Sequence, residues 1–236
     1  MKTIAIITAM EIEAREVRAH MVSPEEISSP FFGAWRGRIH DTTVVLVQSG
    51  AGKVCAAMAT QWASDQMQLD AIFNVGIAGG LTEKTDINTV VLGTTFVQHD
   101  FMPAPWLGRR QGEVPFFGDA SYPTPDPEII QSVRRVMSGN PVIEGTILSG
   151  DEPIFDETRR QELLTVFAEF SPVAVDMESA SFAFVAEQNN IPFAVIRTIA
   201  DRTRSSDRPR VAGANAEANG SAALAGSIVA RYCEQR

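Results

Sequence analysis

Carboxylates follow three apolar segments of the chain that have the composition of buried strands. Glu13, Glu178 and Asp201 each come shortly after such a segment. An open α/β sheet exposes side chains at the ends of its strands to a ligand crevice. Two carboxylates in one crevice can act as general base and general acid, provided that one is ionised and the other protonated at the moment of reaction. The sequence therefore predicts an enzyme with acid–base chemistry.

Glycine-bearing turns come after predicted strands at three places, which are Gln48–Lys53, Asn74–Gly80 and Leu148–Asp151. Glycine lets the backbone turn tightly and approach a ligand without a Cβ in the way. The first turn differs from a phosphate-binding P-loop, because Val47 stands at the position of the first glycine and Val54 at that of the metal-binding Ser or Thr. Interleaved with the acidic residues, the three turns favour one shared crevice.

Short β-branched runs alternate with longer amphipathic segments, a pattern typical of α/β architecture with helices covering a largely parallel sheet. The predicted strands are Thr3–Ala9, Thr43–Gln48, Ala71–Val75, Thr89–Val97, Val142–Leu148, Val173–Val175 and Phe193–Ile199. The predicted helices are Glu11–Met21, Lys53–Met67, Asp126–Met137, Glu157–Phe170, Ser179–Asn189 and Asn215–Glu234. No repeat or linker interrupts the alternation, so residues 1–236 are predicted to form a single α/β domain.

The chain carries a formal net charge of -9. Nucleic acids and anionic membrane surfaces require clustered Lys and Arg, so we expect neither as a partner. The one basic cluster, Arg202–Arg210, is interpreted as a solvated loop. The N-terminus lacks the features of a signal peptide, and the apolar runs are shorter than the roughly 20 residues of a membrane span, so a cytoplasmic location is expected.

The cysteines and histidines give no metal-ligand spacing. Cys55 and Cys233 are far apart in the sequence, which gives no support for a disulfide framework. His20, His40 and His99 cannot be grouped with them into a site, so no metal is expected. We interpret His99 and the following aspartate as a structural hydrogen-bonding pair.

In their order, the motifs resemble those of the 5'-methylthioadenosine/S-adenosylhomocysteine nucleosidases, members of the nucleoside phosphorylase superfamily. The resemblance runs almost end to end and rests on six motifs, namely Ile7–Glu13, Ser49–Val54, Asn74–Gly80, Ser149–Asp151, Val175–Glu178 and Arg197–Asp201. It implies a single nucleoside phosphorylase-like domain with a central mixed, twisted β-sheet flanked by helices. It also implies no cofactor and a homodimer that hydrolyses methylthioadenosine or S-adenosylhomocysteine to adenine and a 5-thio-substituted ribose.

By this resemblance, Glu13 matches the glutamate that activates water for attack at the anomeric carbon of the ribose. Asp201 matches the acid that protonates the purine at N7, so that adenine leaves as a neutral molecule. Glu178 matches the glutamate that accepts hydrogen bonds from the ribose hydroxyls. The alternative for Glu178 is a first-turn helix residue favoured by the helix dipole.

The resemblance implies five further substrate-binding residues. Met177 matches the residue packed beside the sugar, although methionine also serves as a common core filler. Ile154 matches a position whose backbone meets the adenine edge, and Ala78 and Gly79 match the turn beside the nucleoside. Arg197 is assigned to orienting nearby acids or the substrate pocket, with pairing to a carboxylate at the edge of the core as the alternative.

Three departures from the family pattern bear on the substrate. Ile77 and Ala200 stand where serines are usual, and Pro153 replaces an aromatic residue that stacks on the purine. Such contacts determine which base or 5'-substituent a pocket accepts. The three departures therefore leave open the alternative of a hydrolase that acts on another nucleoside, such as futalosine. A non-catalytic nucleoside-binding module is disfavoured, because it need not retain Glu13 and Asp201 together.

A phosphate-dependent purine nucleoside phosphorylase of the same superfamily is the other alternative. Related phosphorylases hold their anion with arginines and a serine near the first strand end and the glycine turn. Here Glu11 and Glu13 follow the first strand, Asn74 stands at an arginine position, and Ile77 replaces the serine. A carboxylate repels phosphate in a crevice of low dielectric constant but can deprotonate water. We therefore expect water as the nucleophile.

The segment Met102–Phe117 is apolar and rich in proline beyond what a solvated loop requires. In the family, the corresponding excursion crosses a dimer interface and lines the 5'-substituent pocket of the partner. An exposed apolar patch commonly marks an interface. The sequence therefore predicts a homodimer with shared sites.

Overall fold

The structure, a computed structural model, describes residues 2–114, 122–137, 142–203 and 214–235. These residues contain a mixed sheet with the strand order β2-β3-β4-β1-β5-β8-β7-β6-β9. The strands are β1 (Thr3–Thr8), β2 (Val22–Glu26), β3 (Gly33–Ile39), β4 (Thr42–Gln48), β5 (Ala71–Gly80), β6 (Val90–Gln98), β7 (Val142–Ser149), β8 (Pro172–Asp176) and β9 (Phe193–Asp201). The helices are α1 (Glu11–Arg18), α2 (Lys53–Gln66), α3 (Pro127–Val136), α4 (Glu157–Val166), α5 (Ser179–Gln188) and α6 (Ala214–Glu234).

The central strands are buried on both faces, as their apolar composition predicts. Along β1, Ile4 and Ile6 pack with α1, α3 and α6 on one side of the sheet. Ala5 and Ile7 point to the opposite side, where they pack with α2 and α5. This alternation gives two apolar layers and fixes the register of the strand, because a slip by one residue would exchange the two faces.

Part of the sheet closes on itself. Strands β1, β4, β5 and β9 pair in parallel, as do β6, β7 and β8. Antiparallel pairings of β5 with β8 and of β6 with β9 join the two groups. Strands β5, β8, β7, β6 and β9 therefore form a closed ring, with the ends of β5, β8 and β9 next to one another.

All of the predicted strands and helices are present, and the predicted mixed, helix-flanked α/β fold is confirmed. Strands β2 and β3 were missed. Strand β2 has the sequence VSPEE and is exposed throughout, so no apolar alternation marks it. The predicted helix from Glu157 ends four residues early at Val166, and a short 3-10 turn, Ala168–Phe170, follows.

Two predicted segments fall partly outside the described residues. In the apolar segment Met102–Phe117, residues 115–117 lie outside, and in the basic cluster Arg202–Arg210, residues 204–210 do. None of the helices in the described ranges combines the length and apolarity that crossing a membrane requires.

Candidate active site

A cavity of about 220 Å³ opens where the ends of β5, β8 and β9 meet the start of α1 and the segment after β7. Of the site residues predicted from the sequence, the described cavity lining includes Glu13, Ala78, Gly79, Ile154, Met177, Glu178 and Asp201. Residues from six separate parts of the sequence thus converge on one concave surface. Arg197 is the predicted site residue that does not line it.

Glu13 lies in the first turn of α1, and only 3% of its surface is exposed. Its Oε2 accepts hydrogen bonds of 2.9 Å from the backbone N–H groups of Ala9 and Met10, and Oε1 accepts one of 2.9 Å from Ile77 N–H. Burial raises the pKa of Glu13 above its usual value, since the loss of water outweighs the nearby arginine and the three N–H donors. The carboxylate is therefore held rigidly, with an increased affinity for a proton.

Gly76 allows strand β5 to pass beside this carboxylate. A Cβ at this position would lie 2.4 Å from Glu13 Oε1 and 2.5 Å from Arg197 Nη1, which is closer than real atoms approach. Gly76 is thus required because a side chain at this position would clash with Glu13 and Arg197. The Asn74–Gly80 segment is not a turn, as the sequence suggested, but a continuation of β5 that pairs with β9 as far as Gly79.

Arg197 is fully buried beneath the cavity. Its Nε donates to Asp176 Oδ2 at 2.7 Å, its Nη2 donates to Asn74 Oδ1, and the same nitrogen lies 3.5 Å from Glu178 Oε2. Substrate binding by Arg197 stays a prediction, since the contacts described join its guanidinium to Asp176 and Glu178, which line the cavity. The described contacts agree with the other part of the prediction, in which Arg197 orients nearby acids.

Glu178 precedes α5 and is 6% exposed. Its Oε1 accepts a hydrogen bond of 2.9 Å from Gly52 N–H at the start of α2. Burial and the like charges of Asp176 and Glu13 raise the pKa of Glu178 to about 7, despite the opposing effects of Arg197 and Gly52. One guanidinium thus faces three carboxylates, so this cluster can hold a proton near neutral pH.

Asp201 is the last residue of β9 and lines the cavity. Its Oδ1 accepts a hydrogen bond of 2.8 Å from Thr203 N–H, and the side chain is partly exposed. A Cβ on Gly79 would lie 3.1 Å from that same oxygen, so the glycine leaves room beside the carboxylate. Asp201 therefore presents a carboxyl group to the cavity from an environment distinct from that of Glu13.

The cavity lining also contains residues that the sequence did not predict as site residues. Phe155 contributes the aromatic ring among the described lining residues, close to Pro153, and Met10 and Ala51 add apolar surface. Glu152 contributes a further carboxylate. Met10 and Ala51 lie within recognised motifs, whereas Glu152 and Phe155 follow the Ser149–Asp151 motif in a loop and carry no local signal. All four residues lie between a predicted strand and the next predicted helix, which indicates that they are near the strand ends that form the site.

The arrangement combines an apolar wall with separate carboxyl groups. Carboxylates such as Glu178 and Glu13 accept hydrogen bonds from hydroxyl groups or from water. A protonated carboxyl group at Asp201 would donate to a basic ring nitrogen. This surface suits a neutral molecule with an apolar part, vicinal hydroxyls and a heterocycle.

Comparisons with known proteins agree with this geometry. A family model described as the phosphorylase superfamily matches residues 3–234. The 5'-methylthioadenosine/S-adenosylhomocysteine nucleosidase of Anoxybacillus flavithermus is 33% identical over 201 residues, 84% of each chain.

Two solved structures extend the likeness to the whole fold. The nucleosidase of the same description from Neisseria meningitidis, in complex with methylthio-immucillin-A, has a TM-score of 0.90 and 30% identity over 100% of both chains. Futalosine hydrolase of Helicobacter pylori has a TM-score of 0.89 over 100% of this chain and 98% of that chain, but its 24% identity shows a likeness of fold alone. The chain therefore belongs to the 5'-methylthioadenosine/S-adenosylhomocysteine nucleosidase family of the phosphorylase superfamily.

Proposed function

We propose that this chain is an N-glycosyl hydrolase that cleaves 5'-methylthioadenosine and S-adenosylhomocysteine to adenine and a 5-thio-substituted ribose. The observation that carries the proposal is the convergence of Glu13, Glu178 and Asp201 on one cavity with apolar walls. Relatives that are about one-third identical over most of their length are described as nucleosidases for these two substrates.

In the proposed reaction, Glu13 is the general base. An ionised Glu13 accepts a proton from water as the water attacks the anomeric carbon. Its raised pKa makes this carboxylate a stronger base than an exposed one, and its three backbone hydrogen bonds fix its direction. Arg197 beneath the site favours the ionised form of Glu13 through its charge.

Asp201 is proposed as the general acid. Its proton passes to N7 of the purine while the bond between the purine N9 and the anomeric carbon breaks. The electron pair of that bond remains with the purine, which leaves as a neutral molecule. The oxygen of the attacking water forms the new bond to the anomeric carbon. The separate positions of Asp201 and Glu13 allow one group to be protonated while the other is ionised.

Glu178 is proposed to accept hydrogen bonds from the ribose hydroxyls. Met177, next to it in the chain, is proposed to pack against the sugar. Ile154 would meet the edge of the adenine, while Ala78 and Gly79 would lie along the nucleoside. Each of these residues lines the same cavity, so one bound nucleoside could contact them all.

The identity of the released base tests this proposal. Purified protein is incubated with methylthioadenosine, S-adenosylhomocysteine and futalosine, and the products are separated by chromatography. We expect adenine from the first two substrates. Release of hypoxanthine from futalosine, with no adenine from either of the others, would overturn the substrate assignment.

We also propose a homodimer built on the apolar segment Met102–Phe117. Within it, Met102, Trp106 and Leu107 are 69%, 84% and 46% exposed, and Val54 and Met58 on α2 are 68% and 54% exposed. Large apolar side chains left in water favour association. We expect sedimentation at micromolar concentration to give twice the mass of the chain, and a monomeric mass with full activity would rule out shared sites.

We propose a cytoplasmic location for the enzyme. Cys55 and Cys233 are both free thiols in the structure. A reducing compartment suits such a protein. Cell fractionation that recovers the activity outside the cytoplasm would exclude this location.

A further inference from the structure

The start of α2 depends on acidic residues from other parts of the chain. Gly52, the N-cap residue, has no side chain to accept hydrogen bonds from the first N–H groups of the helix. Instead, Gly52 N–H donates to Glu178 Oε1 at 2.9 Å, and Lys53 N–H donates to Asp151 Oδ1 at 2.8 Å. The helix terminus therefore positions the proposed ribose-binding carboxylate, and any movement of this terminus would move that carboxylate too.

Lys53 and Asp100 connect this helix terminus to the segment after β7. Lys53 Nζ lies 2.5 Å from Asp100 Oδ1, while Asp100 Oδ2 accepts a hydrogen bond of 2.9 Å from Asp151 N–H. The two side chains are 17% and 27% exposed, so water screens the pair only partly. Burial alone would raise the pKa of Asp100, but the hydrogen bonds from Lys53 and Asp151 outweigh it and lower that pKa.

Close packing also constrains the segment after β7. A Cβ on Gly150 would lie 2.3 Å from the ring of the buried His99. Neither ring nitrogen of His99 has a hydrogen-bond partner among the described residues, which corrects the sequence interpretation of His99 and Asp100 as a hydrogen-bonding pair. The histidine instead packs against Gly150, and Asp100 bonds to Lys53 and Asp151.

We infer that Lys53 and Asp100 form a positioning pair that holds the Glu178 anchor at the start of α2 in register with the segment 150–154. Neither residue of the pair lines the cavity, whereas Glu178 and Ile154 both do. The pair therefore acts through these neighbours and touches no substrate. This inference rests on the proposed function, because it assigns the pair to binding of the ribose and the base.

Asp100→Asn removes the charge of the carboxylate closer to Lys53 Nζ, leaving Asp151 Oδ2 at 3.9 Å, and retains the shape of the side chain. We expect kcat/KM for methylthioadenosine to fall roughly tenfold, mainly through KM, with kcat within about threefold of wild type. Arg134→Met is the matched control, because it breaks a two-bond ion pair with Glu144 that lies outside the cavity. We expect KM of the control to remain at the wild-type value.

A double-mutant cycle separates positioning from a general structural role. If the pair acts through Glu178, then Asp100→Asn should lower kcat/KM by less than about twofold in a Glu178→Gln background. The full tenfold loss in that background, or an unchanged KM in the single variant, would overturn the inference. Lys53→Met replaces Asp100→Asn in this series should the latter fail to fold.

Hydrogen exchange provides a readout that does not depend on turnover. We expect the amides of Gly52 and Lys53 to exchange faster in Asp100→Asn than in the wild type, and unchanged exchange would contradict the positioning role. Failure of the wild-type protein to release adenine would instead count against the proposed function. The two failures are thus distinguishable.

Discussion

Glu13→Gln is expected to lower kcat on methylthioadenosine by roughly 100-fold or more, the usual scale for loss of a general base. The amide is nearly the same size as the carboxylate but cannot accept the proton of the attacking water. It would also place an N–H group against one of the backbone donors that Glu13 now satisfies, with a cost of about 1–3 kcal/mol in stability. Steady-state kinetics well below the melting temperature measures the catalytic effect.

Glu11→Gln is the matched control, because Glu11 lies on the same first turn of α1 but is exposed and pairs with Arg18. We expect this variant to retain wild-type turnover. Wild-type turnover in Glu13→Gln would remove Glu13 from the role of base.

The raised pKa values of Glu13 and Glu178 also predict the pH dependence of the wild-type enzyme. Both groups must be ionised to act as proposed. As the pH falls through their pKa values they become protonated, so kcat/KM should decrease on the acid side, beginning near pH 7, where Glu178 titrates.

Asp201→Asn is expected to lower kcat by a similar factor, roughly 100-fold or more, with most nucleoside binding retained. The amide oxygen can still accept the hydrogen bond from Thr203 N–H, so the local backbone should be preserved. Kinetics gives the turnover, and calorimetric titration with methylthioadenosine gives the affinity.

A substrate that needs no protonation of its leaving group distinguishes an acid from a structural residue. A 4-nitrophenyl 5-thioriboside releases a stabilised anion, so we expect Asp201→Asn to retain much more of its wild-type rate on this compound. Equal losses on the two substrates would contradict the role of Asp201 as general acid.

The sequence was sufficient to find three of the carboxylates that line the cavity, and it did not predict that Glu152 and Asp176 do so too. Glu13, Glu178 and Asp201 each follow an apolar strand, and the ends of neighbouring strands bring such residues together. Local patterns therefore predicted the parts of the site that strand ends position. The position of Ile154 in the cavity wall followed from the resemblance, since that residue lies in a loop.

Features that depend on distant hydrogen bonds could not be predicted in this way. The closure of the strand ring between β6 and β9 has no local signature. The contact of Gly52 with Glu178 joins residues that are 126 positions apart. Arg197 illustrates the same limit, because its motif predicts a position on a strand but not its contacts with Asp176 and Glu178. Such pairings are properties of the tertiary structure.

The central claim is hydrolysis by water, and the sugar product tests it most directly. The protein is freed of phosphate and incubated with methylthioadenosine in matched buffers with and without inorganic phosphate, and both products are quantified by mass spectrometry. We expect adenine and free methylthioribose at the same rate in the two buffers, because the carboxylate of Glu13 can deprotonate water but repels a phosphate dianion. Accumulation of a sugar 1-phosphate in the phosphate buffer, with no turnover in its absence, would contradict the claim.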